Sequence, residues 1–168
     1  MLGTLWAAAS PNVQRTVLNA PGTDVLDLVL TSPAFAPMKA QWMAGLQAQG
    51  IVPGTPEAEQ FLGFAKWISE AGAAQTAAKG LLAGMPQLLG RAVLVQRISD
   101  DEVVPGALTD RLVAATNAGP AQCSVDGYTG AAPAAPNRHG FLLNGADGAT
   151  TQAAQTRAVT FLKTGKLP

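Results

Sequence analysis

The chain has 168 residues, 48% hydrophobic and only 13% charged, and its eleven basic and eleven acidic side chains cancel. That length carries one sizeable core without demanding a second independent domain, and the balanced charge gives no summed field for nucleic acid or an anionic membrane. A single cysteine, Cys123, excludes an internal disulfide and a cysteine-rich metal site, and no apolar stretch approaches the roughly 20 residues of a membrane span.

Residues 1–9 are apolar and helix-compatible, and Ser10-Pro11-Asn12 breaks them. They lack the basic lead of a signal peptide, so any export signal would lie outside the chain. Residues 13–20 are rich in β-branched side chains and close at Pro21-Gly22, which predicts a short strand. Four helical segments follow. The first spans 24–30, and the second spans 38–49, with Pro33 and Pro37 as punctuation. The third has Thr55 as N-cap, Pro56 at the first position, Glu57 and Glu59 in the first turn, then Phe61, Phe64, Ala65 and Ile68 at helical spacing. A fourth spans 73–82. Met38, Trp42, Met43 and Trp67 give this block an apolar face to bury, either as the lining of an acyl-chain pocket or as the block's own core.

Residues 92–98 form a continuous β-rich run that opens on the apolar Ala92-Val93-Leu94-Val95, as expected for a strand covered on both faces of a parallel sheet. A helix is predicted over 105–118, with Gly119 as its C′ residue, followed by a short strand at 122–125, a Gly/Ala/Pro loop at 127–137, and a final helix from about 151 to 163 stopped by Gly165. Strands alternating with helices predict an α/β architecture with a parallel sheet.

Two residues stand out for chemistry. Asp101 follows the apolar run in Asp101-Glu102-Val103-Val104-Pro105, and His139, the one histidine, opens His139-Gly140-Phe141-Leu142-Leu143. An acid beyond a strand and a later histidine suit the second and third members of a Ser-His-Asp triad, in which the carboxylate orients the imidazole and the imidazole moves the proton. Asp100 competes for the acid role. Cys123, sixteen residues before His139, and Ser124 are alternative nucleophiles, although both sit in a strand-like run rather than a sharp turn. No His/Cys/Asp/Glu cluster has metal-ligand spacing and no Gly-rich string follows a strand as a phosphate loop would, so neither metal nor cofactor is implied.

The string from Gln96 to Pro105, with Thr109 and Leu112 following, resembles the acid-bearing strand end of α/β-hydrolases, and His139-Gly140-Phe141-Leu142-Leu143 resembles their histidine loop. The opening from Gly3 to Val13, with Val17-Leu18-Asn19-Ala20-Pro21-Gly22, is similar to the stretch after the nucleophile elbow in bacterial extracellular lipases of the virulence-factor type. The resemblance implies the C-terminal part of an α/β-hydrolase, with core segments 1–30 and 87–168 and a helical cap-like insertion at 31–86. It implies Asp101 as the acid, chosen over Asp100 by its one-residue gap before Val-Val-Pro, and His139 as the base. An ester or lipid is the implied substrate and a secreted or cell-envelope location the implied setting. None of Ser10, Ser32, Ser69, Ser99 and Ser124 lies in a G-x-S-x-G frame. The nucleophile and the oxyanion donors are therefore expected on a segment before residue 1, and the chain alone is expected to be inert as an esterase. An N-terminal complementing segment or a second copy is the expected partner, docked on an open strand edge or on the apolar face of 38–68.

Overall fold

The computed structural model describes residues 2–10, 12–82, 91–119, 122–130, 138–144 and 147–167; most of the loop expected at 127–137 lies outside them. Three strands, β1 (Arg15–Asn19), β2 (Ala92–Ile98) and β3 (Cys123–Tyr128), form one sheet in the order β1-β2-β3. Both pairs are parallel, with Thr16 opposite Val93 and Val95 opposite Val125. Parallel neighbours need crossovers, and the helices α1 (Leu2–Ala9), α2 (Val25–Thr31), α3 (Ala36–Ala48), α4 (Pro56–Glu70), α5 (Ala74–Leu82), α6 (Gly106–Ala115) and α7 (Gly148–Thr164) lead into, link and follow the strands. The α/β architecture with a parallel sheet stands as the pattern predicted.

β2 lies at the centre, which explains its unbroken apolar run: Val93, Leu94 and Val95 are all but inaccessible to water. Its side chains alternate between two layers. Val93 and Val95 join Leu18, Cys123 and Leu112 of α6 on one face, with Ala7 of α1 and Ala74 and Ala78 of α5. On the other face Leu94 and Ala92 meet Phe161 of α7, while Ile98 meets Ala154 and Phe141. Methyl side chains at the contact of α1 with α5 let these two helices lie close to each other on that face. Helix ends are closed locally: Asp24 accepts from Leu26 N–H, Thr55 from Ala58 N–H, and Asp147 from Thr150 N–H. Gly165, at φ 72°, ends α7, whose last carbonyls, Leu162 and Lys163, accept from Arg15 of β1 at 2.7 and 2.8 Å.

The structure corrects several expectations. α6 stops at Ala115 rather than 118, and the left-handed residue that turns the chain is Asn117 (φ 50°), not Gly119. Thr116 Oγ1 donates to Val113 O and accepts from Ala118 N–H, a local alternative to a further helical turn. β3 runs on to Tyr128, paired with Ile98, so Gly127 and Tyr128 belong to the strand and not the loop. The helical block hides little of its apolar surface. α3 buries no residue outright, and Met38, Phe64, Trp67 and Ile68 are 52 to 67% exposed. α4 is held to α2 largely by polar contacts, Lys66 to Asp27 and Ser69 to Asp24, and of its aromatic side chains Phe61 meets Trp42 of α3 at 6.3 Å while Phe64 and Trp67 stay exposed. α5 packs against α1 and α6, with Ala74 and Ala78 in the buried cluster of that face. No helix among the described residues is long and apolar enough to cross a membrane.

Candidate active site

β1 and β2 end alike, each followed by a left-handed non-glycine residue, Ala20 (φ 42°) and Asp100 (φ 56°). Such backbone costs of order 1–3 kcal/mol per residue and turns the chain sharply at the carboxyl end of the strand, where open parallel sheets place their ligand crevices. The two turns are tied together. Thr109 of α6 donates to Pro21 O at 2.9 Å, and a Cβ at Gly22 would stand 3.6 Å from the Val104 side chain.

Beyond Asp100 the chain folds back on Asp101. Its Oδ1 accepts from Val103 N–H at 2.9 Å and Val104 N–H at 2.8 Å, an Asx-type turn that fixes the carboxylate with its side chain 2% exposed. Oδ2 is then left for His139, whose Nδ1 lies 3.0 Å away. With a carboxylate as acceptor, Nδ1–H is the donor, and Nε2 remains as the basic nitrogen. Asp100 faces away: its side chain is 86% exposed and pairs with Arg138 at 3.1 Å. Neighbouring acids thus engage the neighbouring residues Arg138 and His139.

The histidine turn, a 3-10 segment at Arg138–Gly140, is anchored on both sides. Arg138 also donates to Ser99 O at 3.1 Å, while Phe141 is buried against Ile98 and Ala154 and stacks on Tyr128 at 5.3 Å. The single hydroxyl hydrogen of Thr151 of α7 is shared between the Phe141 and Asn144 carbonyls, at 2.7 and 2.6 Å. The hydrogen bond to Asp101 raises the His139 pKa above the usual 6.5; partial burial opposes it, and the charges of Asp101 and Glu102 add to it.

His139 borders a cleft of about 360 Å³ shared with Gly3 and Thr4 from the first turn of α1, Val17 to Gly22 along and beyond β1, Leu28 of α2, and Val103 and Val104. Thr4 Oγ1 and Asn19 Nδ2 are buried there with no hydrogen-bond partner among the described residues. Sequence patterning did not single out Thr4, Asn19 or Leu28 as site residues, because they come from three elements that only the fold brings to one wall. No lining residue comes from 38–68, so those aromatic side chains are neither the wall of this cleft nor a closed core.

Neither a serine nor Cys123 lines the cleft. Ser32 donates to Glu102 O, Ser69 to Asp24, and Ser124 lies mid-strand opposite Leu94. Cys123 is 7% exposed in the core, where burial pushes its thiol pKa up, the opposite of activation. What the described residues assemble is an oriented acid–histidine pair beside an open, half-apolar cleft. No family model, curated protein or solved structure matches the chain.

Proposed function

We propose that Asp101 and His139 are the acid and base of a serine carboxylic-ester hydrolase of lipase or esterase type, and that its nucleophile comes from chain beyond these 168 residues. One observation carries the reading: at the carboxyl ends of a parallel sheet, a buried carboxylate with one oxygen pinned by two backbone N–H groups holds His139 Nδ1 with the other, at 3.0 Å, on the rim of a cleft. In that role Nε2 takes the proton of a serine hydroxyl as its oxygen attacks the ester carbonyl. It then returns that proton to the departing alcohol, and Asp101 steadies the imidazolium in between. The strand order, the acid after β2 and the histidine after β3 agree with the resemblance to α/β-hydrolases. A non-catalytic, self-associating module is the second reading, favoured by the exposed Phe64, Trp67 and Ile68.

The test has two stages. Alone, the chain is expected to hydrolyse short p-nitrophenyl esters no faster than its His139→Ala variant. Co-expressed with the N-terminal portion of a lipase of the resembling type, it is expected to gain activity that Asp101→Asn lowers by up to ~10⁴-fold and Asp100→Asn leaves nearly intact. Activity in the isolated chain that a serine-directed phosphonate blocks would show that one of the five serines is the nucleophile. Equal tolerance of both substitutions in the complemented protein would remove the triad.

A further inference from the structure

The sheet has two edges, and the hydrogen-bonding phase of β1 defines what one of them offers. Ala92 N–H donates to Gln14 O at 2.9 Å and Ala20 N–H to Gln96 O at 2.7 Å, so the even-numbered residues of β1 turn their backbone groups toward β2. In a parallel ladder the alternate residues turn theirs away. Arg15, Val17 and Asn19 therefore present their N–H and C=O groups outward, and among the described residues no strand pairs with that side. Edges of this kind are ordinarily guarded by a charge, a proline or a bulge. Here the one charged side chain of the strand, Arg15, is bonded to the Leu162 and Lys163 carbonyls of α7 and does not guard it. Beside the edge, α1 leaves Leu2 and Trp6 uncovered, 82% and 63% exposed and one helical turn apart.

We propose that this edge pairs with the same edge of a second copy, antiparallel and centred on Val17, to give a six-stranded sheet. The outward set is symmetric about Val17. Two copies related by a two-fold axis normal to the sheet place Val17 opposite its equivalent and Arg15 opposite Asn19, so every outward donor meets an acceptor, about six bonds in all. The axis keeps the α1 layers on one face and the α7 layers on the other, bringing the Leu2 and Trp6 pairs together. The chain's formal net charge of zero adds no repulsion between copies. The inference rests on the edge and not on His139, but the two readings use one edge: a complementing nucleophile strand leading into α1 would pair beside β1 through the same outward groups and take the place of the second copy.

Light scattering during gel filtration of the full chain is expected to give twice the monomer mass. Val17→Pro removes an outward N–H and leaves the bonds to β2, since edge strands accept proline at that phase, and is expected to give the monomer. Amide exchange in the unaltered protein reads the same interface without substitution. Thr16 and Leu18 are expected to be protected at every concentration, and Val17 and Asn19 only as the dimer forms. A monomer at all concentrations would overturn the proposal, and so would a dimer in which Val17 and Asn19 exchange freely, as one joined through Phe64 and Trp67 would.

Discussion

Replacing Asp101 by asparagine and by alanine separates the two tasks of its carboxylate. Oδ1 accepts from two backbone N–H groups, at 2.9 and 2.8 Å, and Oδ2 accepts from His139. Asparagine keeps an Oδ1 for the turn but sets an amide NH₂ against Nδ1, which can then only accept, so the ring is expected to move its proton to Nε2. The loss is one charge-assisted hydrogen bond to a part-exposed partner, about 1 kcal/mol. Alanine additionally strands the Val103 and Val104 N–H groups, and Val104 is buried; at about 1–3 kcal/mol for an orphaned buried donor, less for the more open Val103, the total is about 3–5 kcal/mol. Urea unfolding measures both losses, and long-range proton–nitrogen NMR reads the His139 tautomer. In either variant the His139 pKa is expected to fall, because the contact that raises it is gone while the burial that lowers it remains. Equal destabilisation by the two substitutions, or an Asp101→Asn variant that keeps the Nδ1–H tautomer, would refute this division of labour.

Folding is also expected to depend on pH through His139. Its folded pKa lies above the usual 6.5, so its contribution is complete below the unfolded value and is lost as pH rises through the folded one. The urea midpoint should fall across that window in the native sequence, and His139→Gln should remove the fall. Burial rather than hydrophobicity should set the cost of truncation. Leu94→Ala, in the inaccessible heart of β2, is expected to cost about 2–5 kcal/mol, whereas Trp67→Ala on the exposed side of α4 is expected to cost less than about 1 kcal/mol. Comparable losses by thermal or urea denaturation would mean that α4 is covered in solution.

Local chemistry was legible in the sequence wherever a short segment decides its own conformation. Thr55-Pro56 with two following glutamates opens α4, Gly165 closes α7 in the left-handed region, and the unbroken apolar run of β2 announces a strand covered on both faces. Asp101 and His139 were also legible as chemical types in a suggestive order, each beyond a strand. That they meet at 3.0 Å with Asp100 turned out to solvent was decided by tertiary structure, through the left-handed turn at Asp100 and the anchoring of Arg138 and Phe141. The cleft wall likewise assembles Thr4, Asn19 and Leu28 across separate elements, which no local pattern encodes. The helical block was less legible for the same physical reason: an apolar stripe at helical spacing shows that a face would gain from burial, but only the arrangement of layers supplies a surface to bury it against, and the described residues supply none for Phe64, Trp67 and Ile68 of α4.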